Sequence, residues 1–122
     1  MELYKLGEME EKFAELIWEN VPIRSGELTK LCEDAFSWKR TTTYTMLKRL
    51  CDRGLFVNEN GLVTARMSRE DFKSIRGEQF LKENFEDSLP LFVASFARKR
   101  KLRKDEVLML KKMIDEYEEE DS

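Results

Sequence analysis

Residues 41–67, TTTYTMLKRLCDRGLFVNENGLVTARM, decide the fold. From Thr41 to Arg53 the apolar residues recur at helical spacing. Tyr44 or Met46 with Leu47, Leu50 and Cys51 makes an inner stripe, and Thr41, Thr42, Thr45, Lys48 and Arg49 fall outside it. Gly54 stands where a left-handed residue closes a helix. Leu55 to Asn58 and Leu62 to Met67 read as two short strands. Glu59-Asn60-Gly61 lies between them, and Asn-Gly is a strong hairpin signal. Working backwards, Ser25 is a natural N-cap for a helix over Gly26 to Ala35, with Leu28, Leu31 and Cys32 inward. Residues 36–40 are a short connection. Residues 8–20 predict a further helix with Met9, Phe13, Leu16 and Ile17 on one face and glutamates on the other, ended by Asn20 and Pro22. Residues 21–23 form an extended link, because proline biases its predecessor away from the helix. The first 67 residues therefore run helix, helix, helix, hairpin, the order of a winged helix-turn-helix.

Helix restarts at Ser68-Arg69-Glu70-Asp71, where Ser68 and Asp71 have the spacing of a capping box. Phe72, Ile75, Phe80, Leu81 and Phe85 carry the apolar stripe to about residue 86, and Asp87-Ser88 is a break. Leu89 to Ala97 is an apolar stretch, and Arg103 to Tyr117 predicts a last helix. The fold class is thus mainly α: a winged-helix domain with a small β-hairpin wing over residues 1–67, then a helical dimerisation domain over residues 68–122. Phe72, Phe80, Phe85, Leu89, Phe92, Phe96 and Leu110 are the expected dimer contacts, since three helices alone could not cover so many large side chains. Each phenylalanine buried contributes roughly 1.5–3 kcal/mol.

A chain of 122 residues suits one compact domain, or a small domain with an appended oligomerisation arm. No run approaches the roughly 18 apolar residues of a membrane span, and the N-terminus lacks a signal-peptide pattern, so the expected location is the cytoplasm, without membrane insertion. The chain has no histidine, and its two cysteines, Cys32 and Cys51, are far apart. A zinc site of the usual kind lacks its ligands, and no cofactor is expected. Each cysteine reads first as a small buried hydrophobe, and second as a redox or metal-sensing thiol. No nucleophile–base pair, phosphate-binding glycine loop or metal cluster points to an enzyme.

The net charge is −3, but its distribution is uneven. Segment 39–53 carries Lys39, Arg40, Lys48, Arg49 and Arg53 against Asp52 alone. Segment 98–104 is basic throughout its charges, and segment 115–121 acidic throughout. On the third helix, Thr41, Thr42 and Thr45 offer hydroxyls to base edges and methyls to thymine, while Arg40, Lys48, Arg49 and Arg53 can anchor phosphates. The competing reading of the threonines is helix capping. The basic run 98–104 reads first as a solvated loop and helix entry, and Trp18 and Trp38 as core. The rival function is a winged-helix protein-docking module without sequence-specific DNA binding, which the negative net charge permits.

The run from Trp38 through Thr42, Thr45, Leu47, Arg49 and Leu50 to Gly54 resembles the Trp–Thr–Thr–Leu–Arg–Leu–Gly signature of the penicillinase and methicillin-resistance repressors. Glu8 with Leu16-Ile17-Trp18 resembles the family's opening helix, residues 64–72 its post-wing segment, and Phe80-Leu81, Phe85, Ser88-Leu89 and Phe96 its dimerisation arm. The resemblance implies a homodimer on an inverted-repeat operator of double-stranded DNA, silencing a resistance or stress operon, with Thr42, Thr45 and Arg49 at the DNA. It also implies induction by a membrane sensor-protease, with cleavage at the pair matching the family's Asn-Phe bond, here Ser95-Phe96. The chain departs from the pattern in lacking that asparagine and in placing Thr41 where a lysine is frequent. Its wing is also shorter, reduced to Gly61-Leu62-Val63. Copper-responsive relatives end in a cysteine cluster; this chain ends in acids, which argues against copper sensing.

Overall fold

The computed structural model describes residues 5–121, with the side chains of residues 119–121 outside that description. Residues 1–4 and 122, the extremes of the two expected domains, also lie outside the described residues. The order is α1 (Glu8–Asn20), β1 (Ile23–Arg24), α2 (Ser25–Phe36), α3 (Arg40–Asp52), β2 (Phe56–Glu59), β3 (Leu62–Ala65), α4 (Arg69–Asn84), α5 (Leu89–Lys99) and α6 (Lys104–Asp121). This is a helical chain with a small antiparallel sheet, the expected winged helix with a hairpin wing. It divides into two compact units, the first running to Gln79 and the second starting at Phe80.

In the first unit, helical spacing selects the core. Phe13 and Ile17 of α1, Leu28 and Cys32 of α2, and Leu47 and Leu50 of α3 are all buried, and Phe56 and Val63 of the sheet close over them. On α3 the innermost position of the first turn belongs to Thr43, 1% exposed, while Tyr44 and Met46 are half-buried. Residues 43, 47 and 50 form the i, i+4, i+7 stripe that faces inward. Trp38, just before α3, packs edge-on to Phe13 at 5.1 Å and against Phe36 at 4.9 Å, so the aromatic of the signature seats the start of α3 on the core. Trp18 packs on Phe56 and donates its indole N–H to the Met67 carbonyl at 2.9 Å.

The end of α3 is set by Gly54. Its φ of 85° lets Leu55 N–H reach the Leu50 carbonyl at 3.1 Å and Gly54 N–H reach Cys51 at 2.9 Å, the paired bonds of a Schellman closure. The wing turn follows the Asn-Gly expectation: Asn60 and Gly61 both have positive φ, 51° and 86°, joining strands paired at Glu59 and Leu62.

Three expectations are corrected. Residues 21–23 are not merely a link, because Ile23 and Arg24 form a third strand paired with Val63 and Leu62. Two residues are too few for an alternating pattern to show in sequence. Ser25 is not the N-cap of α2: it is the first helical residue, 8% exposed, and Arg24 caps without a side-chain bond. Its backbone N–H goes instead to the Gly61 carbonyl of the wing turn at 2.8 Å. Phe72, expected on the dimer face, is 2% exposed in the core of the first unit, its ring 5.5 Å from that of Trp18. The first turn of α4 belongs to that core, so its phenylalanine is covered from within the chain.

In the second unit no described residue of α5 or α6 is buried. Left-handed Glu86 and Asp87 break the chain after α4, and Ser88 caps α5 by accepting from Leu91 N–H at 3.1 Å. Phe80, Phe85, Phe92 and Phe96 form a chain of ring contacts 5.2–6.2 Å apart.

Candidate nucleic-acid interface

α3 owes its rigidity to the buried side just described, and that fixes what the other side presents. Arg40, Thr41, Thr42, Thr45, Lys48 and Arg49 are all exposed, the last five spaced along one helix face with Arg40 at its edge in the first turn. Asp52 is the single acid of the helix, and Lys48 Nζ sits 3.2 Å from its Oδ2, one turn away. Both groups are largely solvated, so this pair is weak and a phosphate can displace it. Arg49 donates toward the Met46 sulfur, at 3.7 Å, and makes no ion pair among the described residues.

The threonines divide by role. Thr43 is core. Thr45, exposed, donates its hydroxyl proton to the Thr41 carbonyl at 2.9 Å, which leaves its oxygen lone pairs able to accept. Thr41 and Thr42, in the first turn, carry exposed hydroxyls. Lys39 caps the helix without a side-chain bond, so capping is not what the threonine run supplies.

Arg40 lies over the Tyr44 ring at 5.6 Å, and the Tyr44 hydroxyl meets that of Ser25 at 3.1 Å. The bond to Ser25 and the nearby Arg40 hold the Tyr44 phenol below its ordinary ionisation range. This link was not legible in the sequence, because Ser25 and Tyr44 lie on different helices and only the α2–α3 packing joins them. Arg53, expected at phosphate, is instead partly buried: its guanidinium pairs with Glu10 of α1 at 3.4 Å and donates to the Lys5 carbonyl. It follows the last turn of α3 on the side facing α1, and the charge is spent inside the unit.

The wing offers amides rather than cations. No lysine or arginine lies between Phe56 and Ala65, and the turn exposes Asn58, Glu59 and Asn60. The flanking cations are Arg24 on β1 and Arg66 after β3, both exposed. Charge for a polyanion therefore comes from α3 and its flanks.

Of the expected dimer contacts other than Phe72, Phe80, Leu89, Phe96 and Leu110 are 48%, 59%, 43% and 40% exposed, and Phe85 and Phe92 are half-buried. Ser95 and Phe96 lie within α5, inside a continuous helix. Both cysteine thiols are pushed up by burial, Cys32 against a smaller opposing pull from the Thr43 hydroxyl, and Cys51 with a further contribution from Asp52. Among the described residues no cluster of acids and cysteines could hold a metal, and no helix is long and apolar enough to cross a membrane.

A family model described as penicillinase repressor matches residues 6–116, nearly the whole chain. No individual curated protein matches the chain.

Proposed function

We propose, from the premise that this chain belongs to the penicillinase repressor family, that it acts as a homodimer seated on an inverted-repeat operator. Membership, which bears out the resemblance read from Trp38 to Gly54, makes it a transcriptional repressor of a family of DNA-binding regulators. The finer reading is that α3 enters the major groove, with Thr41, Thr42 and Thr45 at base edges and Arg40, Lys48 and Arg49 on flanking phosphates. Two such helices in one dimer reach successive grooves about 34 Å apart, and occupancy excludes polymerase. The observation that carries this is the exposed face of α3, where three hydroxyl-bearing side chains lie among three cations in a chain of net charge −3. Phosphate contacts position and base contacts specify, and this face holds both kinds of group.

The arm after residue 68 supplies the dimer contacts in this reading. Its support is the exposure of Phe80, Leu89, Phe96 and Leu110, in an arm where Phe72 alone of the described residues is buried. Coupling is direct: a monomer has half the phosphate contacts, so whatever separates the copies releases the operator. The regulated genes are a resistance or stress operon, the location cytoplasmic, and the inducer a membrane sensor-protease that leads to cleavage at Ser95-Phe96. Because that bond is in α5, cleavage requires local opening of the helix.

Repeated selection of bound duplexes from a random pool tests the reading. The expected product is an inverted repeat whose half-sites are centred about one helical turn apart. A pool that never enriches would favour the protein-docking alternative, and an enriched single half-site would contradict the dimer.

A further inference from the structure

Three cations meet at the edge of the exposed face of α3. Arg24, the last residue of β1, Lys30, in α2, and Arg40, the first residue of α3, line one surface cleft of about 480 Å³. All three are exposed, and among the described residues none of them forms an ion pair. The two arginines are held from behind. Arg24 is fixed by its strand pairing with Leu62 and by its place as the backbone cap of α2. The Arg40 guanidinium lies over the Tyr44 ring at 5.6 Å, and the Tyr44 hydroxyl meets that of Ser25, the neighbour of Arg24, at 3.1 Å. Thr29 also lines the cleft, but it donates its hydroxyl proton to the Gly26 carbonyl at 2.6 Å, so the side-chain donors left for a ligand are those of the cations. Glu27 and Glu33 stand in the same cleft. Three cations against two acids leave a single net positive charge there, which suits an anion of one negative charge better than a free phosphate or nucleotide of two or more.

We infer that this cleft holds one phosphodiester of the duplex, with Arg24 and Lys30 as DNA contacts beyond α3. The inference rests on the reading that α3 enters the major groove, and it extends the interface to two further elements. Arg40 opens α3 at the edge of the face that carries Thr41, Thr42 and Thr45, so a duplex seated on that face runs its backbone past the cleft. The ligand chemistry matches. A guanidinium presents parallel N–H donors to two phosphate oxygens, and the lysine adds a point charge. A phosphodiester carries one negative charge, equal and opposite to the net charge of the lining. Such a contact positions α3 in the groove and reads no base. It also supplies, from β1, a cation beside a wing turn that has none of its own. The two acids have a consequence: they repel any duplex, so the grip of the cleft is weaker than three cations alone would give.

Two full-length double variants test this by fluorescence anisotropy with random duplex DNA, from about 50 to 200 mM salt. Arg24→Gln with Lys30→Gln is expected to bind about tenfold more weakly, with a salt slope lower by about two, and to enrich the same sequences as the native chain from a random pool. Glu27→Gln with Glu33→Gln is expected to bind a few-fold more tightly, a gain that a damaged fold cannot produce. Arg24 caps α2 through its backbone alone, so glutamine keeps the cap, and circular dichroism checks helix content in both variants. If both variants bind with native affinity and slope, the cleft lies off the duplex and the inference is overturned, while the α3 reading stands. If the cation variant enriches different sequences, these residues read bases and the phosphate assignment is overturned. If duplex binding is unchanged, but inorganic phosphate at constant ionic strength raises the unfolding temperature of the native chain and not of the cation variant, the cleft takes a free anion and the duplex assignment is overturned. A native chain that binds no duplex at the lowest salt would overturn the α3 reading and this inference together.

Discussion

The hydroxyl oxygens of Ser25 and Tyr44 lie 3.1 Å apart, tying the first residue of α2 to α3. Ser25 N–H simultaneously donates to the Gly61 carbonyl at the wing turn, 2.8 Å away. One residue thus joins wing, α2 and α3, and the Tyr44 ring beneath Arg40 holds a cation at the start of α3. Replacing Tyr44 with phenylalanine removes the bond while keeping the ring. The expected loss is about 1 kcal/mol, read as a lower urea midpoint at neutral pH.

The same pair predicts a pH dependence. Ser25 and then Arg40 hold the Tyr44 phenol below its ordinary value. Between the folded value and the unfolded value near pH 10 the unfolded chain binds more protons, so stability rises with pH across that window. This contribution is fully present above the unfolded value and is lost as pH falls through the folded one. The difference in ultraviolet absorbance titration between the native chain and Tyr44→Phe is expected to show one phenol ionising below pH 10. A difference curve centred at or above that value would show that the hydroxyl pair is not formed.

Arg49→Ala and Thr45→Ala are expected to separate anchoring from reading. Arg49 makes no ion pair among the described residues, so its loss is expected to weaken binding to all duplexes about equally and to lower the salt slope by about one. Thr45 is exposed and its hydroxyl oxygen can still accept, so its loss is expected to change preference among duplexes, by about 1–3 kcal/mol at the affected base pair. Titrations on several sequences at two salt concentrations distinguish them. An unchanged salt slope for Arg49→Ala would remove that residue from the interface.

Phe72→Ala is expected to cost the first unit about 3–5 kcal/mol, as removal of a fully packed phenylalanine does elsewhere. Phe96→Ala, at a residue 43% exposed in α5, is expected to leave the stability of that unit nearly unchanged and to weaken self-association. Thermal unfolding of a 1–79 fragment, compared with sedimentation of the full chain, separates the two effects.

Much of this was legible in the sequence, and the remainder has physical causes. The bounds of α1, the glycine closure of α3 and the Asn-Gly turn rest on local rules, and the structure follows them. Thr41, Thr42 and Thr45 were placed outward by spacing alone and are exposed. Phe72 was misassigned because an apolar stripe shows that a helix face is covered but not by what. Arg53 was offered to phosphate because its partner, Glu10, lies 43 positions earlier in the chain. The strand pairing of Ile23 and the Ser25–Tyr44 bond likewise depend on long-range packing that no window of sequence contains.

Both thiols are raised by burial, Cys32 in the core and Cys51 half-covered at the end of α3. The native chain is therefore expected to react slowly with iodoacetamide at pH 8 and rapidly once unfolded, and valine or alanine at both positions should keep DNA affinity within a few-fold. Peroxide that releases the native chain from DNA, but not the double variant, would make the cysteines sensors instead.

The central claim is that α3 binds DNA through its exposed cations and hydroxyls. Fluorescence anisotropy of the full chain with random duplex DNA, from about 50 to 200 mM salt, tests it most directly when repeated with Arg40, Lys48 and Arg49 all changed to alanine. The account predicts binding by the native chain that weakens steeply with salt, and a variant that is folded but binds far more weakly with a shallower slope. Equal binding by the two proteins, or none by the native chain at the lowest salt, would contradict it.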